Sequence, residues 1–157
     1  MENFVKGIRR EFLYLTLQCN DMTQELLKIK EAVEYYGRVI DVPLVYFPTY
    51  GHTIDGAHPH IEVDTYGQLY YVVVERGEQL KKDLALDIDD LLYKVFIDIS
   101  FTMACNFEVH HRIDGEDVRR QIFSKQLDLL SKLNPEWKIR KELEIKGILE
   151  IYPYVDK

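Results

Sequence analysis

Leu69-Tyr-Tyr-Val-Val-Val74 constrains this chain more than any other stretch, because five of its six residues are aromatic or β-branched. Such a run favours a strand, and its lack of polar alternation suits a strand covered on both faces. Just upstream, His60-Ile-Glu-Val-Asp64 alternates polar with apolar, the period-two pattern of a half-buried strand. Thr65-Tyr-Gly67 between them reads as a three-residue loop, with Gly67 free to take the left-handed conformation that closes it. The pattern predicts a β-hairpin over about residues 60–75. Two strands alone are marginal in water, so other elements must pack on them. A third strand can come from around Leu44 to Phe47, closely bounded by Pro43 and Pro48.

The remainder reads as helix. Asp21 followed by Gln24 resembles an N-cap with its capping-box partner, starting a helix that ends at Gly37 with Leu26, Ile29, Val33 and Tyr36 inward. Residues 78–86 read as a polar bridge with room for one helical turn. Asp87, with Asp89 and Asp90 in the first turn, predicts the start of a central helix over about 88–108, striped by Leu92, Val95 or Phe96, Ile99, Met103 and Phe107. Asp114-Gly115 marks a turn into a helix with Val118, Ile122, Leu129 and Leu133 inward and Phe123, Leu127 and Leu130 beside them. Asn134-Pro135 caps and opens the last one, with Trp137, Ile145, Ile148 and Leu149 on one side. The expected architecture is α+β, a small antiparallel sheet covered by four to five helices. Residues 22–157 are expected to form one domain and residues 1–21 an N-terminal extension.

That extension tests for targeting. Lys6, Arg9 and Arg10 precede Phe12–Leu17 and Cys19, but six apolar residues fall short of the roughly 7–15 of a signal h-region, and Gln18 is not small. A helix with Val5, Ile8, Phe12 and Leu15 on one face is the preferred reading. No stretch approaches the roughly 20 apolar residues of a membrane span. Two cysteines, Cys19 and Cys105, make no disulfide framework and suit a reducing cytoplasm.

Charge narrows the partners. The net charge is −7, and residues 58–86 and 87–113 carry net −2 and −3, whereas residues 114–157 balance nine acids with nine bases. A nucleic-acid binder needs a basic footprint, which is missing. On charge alone, plain solubility is the preferred reading, and the acidic region is compatible with steering a basic partner.

No constellation has the spacing of a nucleophile elbow, a phosphate loop or a paired-carboxylate hydrolase. His58 and His60, at i and i+2 on a strand, share a face that Glu62 joins, which makes them the best metal candidate. Zinc sites usually need three or four convergent ligands, so histidines beside the hairpin are the preferred reading and neither metal nor cofactor is expected. Glu75-Arg-Gly77 could be a substrate clamp, but a structural role at the strand end, with Gly77 turning the chain, accounts for it better.

Several strings together resemble the immunity protein 63 family of bacterial polymorphic toxin systems. They are Pro48-Thr-Tyr-Gly51, Gly56-Ala-His-Pro-His-Ile-Glu-Val-Asp64, Tyr71-Val-Val-Val-Glu-Arg-Gly77, Leu86-Asp-Ile-Asp-Asp-Leu-Leu-Tyr93, Phe101-Thr-Met-Ala-Cys105, Arg112-Ile-Asp-Gly-Glu-Asp117 and Arg119-Arg-Gln-Ile-Phe-Ser-Lys-Gln-Leu127. The resemblance covers about residues 22–156 and leaves residues 1–21 outside it. It implies a cytoplasmic antidote that binds a cognate secreted toxin, often a nuclease, through the toxin's C-terminal domain and blocks it sterically, without catalysis. It carries over no binding residues. Exposed acids and loop tyrosines are the natural contacts for a basic toxin domain: Tyr50, Asp55, Asp64, Tyr66, Glu78, Asp90 and Asp98. A metal-dependent enzyme built on His58, His60 and Glu62 and a self-associating structural protein are the alternatives. The sequence leaves the oligomeric state open.

Overall fold

The computed structural model describes residues 24–156. The N-terminal extension and the Asp21 cap lie outside the described residues. Helix α1 covers residues 24–39, and a 3-10 turn follows at Leu44–Tyr46. Then come strands β1 (Thr49–Tyr50), β2 (Pro59–Val63), β3 (Leu69–Glu75) and β4 (Glu78–Ala85), followed by helices α2 (Ile88–His111), α3 (Val118–Leu133) and α4 (Pro135–Ile151). The fold is α+β, with one four-stranded mixed sheet in the order β1-β2-β3-β4 and four helices.

The hairpin forms where the sequence places it. β2 and β3 run antiparallel, with His60 opposite Val72 and Glu62 opposite Tyr70. Asp64 and Gln68 close the loop through the Asp64 N–H to Gln68 carbonyl bond of 3.0 Å, and Gly67 takes φ 76°. His60 and Val72 are buried on one face, Ile61 and Tyr71 on the other, so the middle of the hairpin is covered on both sides.

Two strand expectations need correction. Residues 44–46 form a 3-10 turn, and the strand beside β2 is Thr49–Tyr50, paired parallel to it with Thr49 opposite His60. The prolines explain the shift, since Pro43 and Pro48 leave too short a segment between two residues that cannot donate to a ladder. The sheet is therefore mixed rather than antiparallel. Residues 78–85, expected as a polar bridge, are the eight-residue strand β4. Arg76 and Gly77 supply its turn, with φ 54° and 77°, the left-handed pair of a type I′ hairpin connection. The Glu75-Arg-Gly77 motif is thus a strand end and a turn.

By contact, the described chain resolves into two compact units: residues up to Ala32 with Thr49–Leu84, and Val33–Pro48 with Ala85–Lys157. In the first, Ile61, Val63, Leu69, Tyr71 and Val72 form the core of the sheet. In the second, α2 packs along α3, and α3 along α4. Trp137 of α4 is buried among Tyr36, Tyr93 and Phe96, with ring centroids 5.3, 6.4 and 6.0 Å away. Its indole N–H donates to the Asp89 carboxylate at 3.2 Å.

Helix boundaries follow the expected caps, with three differences. The Asp87 side chain accepts from the Asp90 N–H and starts α2, which runs to His111, one turn beyond the expected end. α3 turns Phe123, Gln126, Leu129 and Leu130 inward, while Val118 is exposed. Gln126 is buried in the helix seam because its amide donates to the Ile97 carbonyl at 3.0 Å and to Ser100. α1 continues through Gly37 to residue 39.

The C-terminal tail is tied to the start of α3. Asp117 accepts from the N–H groups of Arg119 and Val155, and Arg119 donates to the Tyr152 and Pro153 carbonyls. Arg120 grips Asp156 through two bonds of 3.0 and 2.9 Å, with its guanidinium 4.2 Å from the Tyr154 ring.

Gly37 shows why α1 does not stop there. A Cβ at this position would overlap the Phe47 ring, so the glycine makes room for a side chain rather than for a left-handed cap. Gly37→Ala gains helix propensity of up to about 1 kcal/mol but meets overpacking of about 1–3 kcal/mol. A net loss of about 1–2 kcal/mol is expected in chemical denaturation, recovered when Phe47→Leu is added; an unchanged midpoint for Gly37→Ala would contradict this packing.

Candidate functional site

The sheet gathers the polar side chains that the sequence singled out. Alternation puts His60 and Glu62 on one face of β2, and Lys82 of β4 reaches the same face. The His60 Nε2–H donates to Glu62 Oε1 at 2.9 Å, and Lys82 Nζ donates to the other carboxylate oxygen at 2.7 Å. Lys82 also lies 4.7 Å from the Tyr70 ring centroid. Burial raises the Glu62 carboxyl, but the bonds from Lys82 and His60 outweigh it and leave it below the usual carboxylate range. Both oxygens of Glu62 and one nitrogen of His60 are therefore engaged with each other and with Lys82. Among the described residues, no group of three His, Cys, Asp or Glu side chains could hold a metal ion.

The seven acids and tyrosines proposed from sequence fall in four places. Asp55 and Glu78 lie at one end of the sheet. Asp55 sits in the exposed loop 51–57, whose Ala57 N–H bonds the Val74 carbonyl at 2.9 Å, close to where β3 turns into β4. Asp64 and Tyr66 occupy the opposite end, in the β2–β3 loop. Tyr66 is 88% exposed, whereas Asp64 works for the turn: its Oδ1 accepts from the N–H groups of Tyr66 and Gln68 at 2.8 and 2.9 Å. Tyr50 is half-buried in β1, opposite Ile61. Asp90 and Asp98 lie on α2 in the second unit and are both half-buried.

Loop 51–57 has a feature that periodicity does not reveal. Asp55, Gly56 and Ala57 take φ of 57°, 70° and 60° in succession. Left-handed backbone costs a non-glycine residue roughly 1–2 kcal/mol, so two such residues must be held by their surroundings. The holders are the Gly51 N–H to Ile61 carbonyl bond of 2.8 Å at one end, the Ala57 bond to Val74 at the other, and the Asp55 N–H on Thr53 Oγ1. Between these anchors the loop presents Ile54, 59% exposed, and the Asp55 side chain. The only sequence signal was the Asp55-Gly56 pair, a turn dipeptide.

Asp90 is a structural acid. Lys94 and Arg140 each donate to it at 2.9 Å, and it accepts the Leu86 N–H at 3.1 Å. Arg140 lies 3.8 Å from the Tyr93 ring centroid, and the Tyr93 hydroxyl donates to Glu144 at 2.7 Å. Burial pushes the Tyr93 phenol above its usual range, with the Glu144 carboxylate adding to it. At the far end of α2, Arg112 makes two bonds to the buried Glu108.

The comparison with known families gives the family of the chain. The model of the immunity protein 63 family matches residues 66–147, more than half of the 157-residue chain. The chain belongs to the immunity protein 63 family. The match runs from the β2–β3 loop through β3, β4, α2 and α3 into α4, so Tyr66, Glu78, Asp90 and Asp98 lie within it, and Tyr50, Asp55 and Asp64 lie upstream. It is shorter than the span over which the sequence strings resemble the family. No curated protein and no solved structure matches the chain. Among the described residues, no helix is long and apolar enough to cross a membrane.

Burial raises the Asp90 carboxyl, but hydrogen bonds from Lys94, Arg140 and the Leu86 N–H dominate and lower it to about 2. A lowered folded-state value contributes stability above the unfolded carboxyl's value, near 4, and loses it as pH falls toward 2. Asp90→Asn is therefore expected to lower stability at pH 7 by up to about 2 kcal/mol. The gap from the wild type should shrink on acidification from pH 4 to 2 in urea melts. A gap independent of pH would show that the ion pairs do not stabilise the fold.

Proposed function

We propose that this chain is a cytoplasmic antidote that binds the C-terminal domain of a cognate secreted toxin and neutralises it by covering that domain. Membership of the immunity protein 63 family carries the proposal. The chemistry of the surface supports it. The chain has net charge −7, and a basic toxin domain, such as that of a nuclease, is the complement that such a surface attracts. Steric block needs no reacting groups, and the most polar cluster of the sheet, His60-Glu62-Lys82, is engaged internally.

Tyr50, Asp55, Asp64, Tyr66, Glu78, Asp90 and Asp98 remain the proposed contacts, and their settings rank them. Asp64 and Asp90 hold their own elements together, so altering either perturbs the fold as well as any interface. Asp55, Tyr66 and Glu78 are exposed and free of such duties in the described hydrogen bonds and ion pairs. The end of the sheet carrying Asp55 and Glu78 is the favoured contact, because loop 51–57 holds Ile54 and Asp55 out in a strained and anchored conformation. An apolar anchor beside an acid suits a basic surface with an apolar pocket.

Co-expression with the toxin domain encoded beside this chain is expected to restore growth. The variant Asp55→Asn/Glu78→Lys, which keeps a residue that tolerates left-handed backbone at 55, should keep its melting temperature and weaken the complex at least tenfold, a loss of about 1.4 kcal/mol. Absence of rescue by the wild type would remove the function. Rescue with full affinity in the variant would leave the function standing and move the contact away from this end of the sheet.

A further inference from the structure

Past Ile151 the chain leaves α4 and runs across the start of α3 without joining a helix or strand. Among the described residues, no backbone-to-backbone hydrogen bond holds residues 153–156. Side chains do so instead. The Arg119 guanidinium donates to two successive carbonyls, those of Tyr152 and Pro153, each at 2.9 Å. Asp117 Oδ2 accepts the Val155 N–H at 2.9 Å, and the Asp117 N–H donates to Asp156 Oδ1 at 3.0 Å. Arg120 completes the set with its two bonds to the Asp156 carboxylate.

Each of these bonds has a charged group on one side at least, and little apolar surface accompanies them. Tyr152 and Val155 are 66% and 68% exposed. Tyr154 is half-buried, with its ring 6.4 Å from that of Phe123 and 4.2 Å from the Arg120 guanidinium. Regions that bury little apolar area are the ones that open without global unfolding. Both carboxylates are charged at neutral pH: bonds from Arg120 hold Asp156 below the usual carboxylate range, and bonds from Arg119 do the same for Asp117.

We propose that residues 152–156 are a releasable strap, an ionic latch on the start of α3 that opens while α2, α3 and α4 stay folded. Asp117 makes the two events separable. It caps α3 by accepting the Arg119 N–H, a bond that does not involve the strap. Closed, the strap sets its own carboxylate, Asp156, on Arg120 and its Tyr154 ring beside the buried Phe123. Open, it leaves Arg120 without that carboxylate and uncovers Phe123, while Arg119 keeps its bonds to Asp117. The latch therefore sets whether a cation beside an aromatic ring is presented on a chain of net charge −7.

Two amides report the latch from opposite sides: that of Val155, held by Asp117, and that of Asp117, held by Asp156. Hydrogen exchange of the full chain at neutral pH, read by NMR, tests the proposal. Raising salt from about 0.1 M to about 1 M should lower the protection of both amides together, by at least about threefold, because exposed ion pairs are screened. Amides in the second half of α3 should keep theirs. Asp156→Asn leaves the cap of α3 intact and should lower both protections at about 0.1 M salt and remove their salt dependence. Two amides protected as strongly as the interior of α3 would place the strap in the core and overturn the proposal. It is equally overturned if both are unprotected at about 0.1 M salt, or if either salt or Asp156→Asn leaves their protection unchanged.

Discussion

The second unit depends on Trp137. Its ring meets Tyr36 of α1 and Tyr93 and Phe96 of α2, and its indole N–H reaches Asp89 in the first turn of α2. One side chain on α4 thus joins three helices that lie far apart in sequence. A buried tryptophan needs a partner for its N–H, and the acids that favour the start of α2 supply one. Around this point the polar groups arrange themselves in order: Asp87 caps α2, Asp89 takes the indole, and Asp90 takes Arg140 and Lys94. Three neighbouring acids that look alike in sequence hold three different positions.

The sheet follows a different logic. The centres of its middle strands are buried, and apart from Glu62, which His60 and Lys82 hold, the acids gather at the strand ends and on β4. Asp64 closes one end by accepting two backbone N–H groups, and the left-handed run at Asp55–Ala57 forms the other. An immunity protein needs a surface that is fixed before its partner arrives, because ordering a loop on binding subtracts from affinity. Loop 51–57 is tied at both ends to the sheet, so the contact proposed for it would be fixed in advance.

Much of this fold is legible in the chain. The hairpin is readable because Leu69–Val74 leaves no helical alternative, and the starts of α2, α3 and α4 because Asp87, Asp114-Gly115 and Asn134-Pro135 are unambiguous punctuation. β4 was hidden by Lys81, Lys82 and Asp83, which mask an alternation that the Arg76-Gly77 turn would have justified. Gly37 misled because a glycine at a helix end and a glycine that admits a ring look identical without Phe47 in view. The candidate contacts were legible only as residue types. Whether an acid is free, like Asp55, or engaged, like Asp90, depends on Arg140, fifty residues further along the chain.

The central claim is that this chain inhibits a toxin by binding it. Titrating the purified protein into the purified C-terminal domain of a candidate cognate toxin, with the toxin's activity as the readout, tests it most directly. The account predicts a linear fall to zero activity at a fixed stoichiometry, with a complex that elutes as one species. Full toxin activity in the presence of excess protein, with no complex formed, would contradict it.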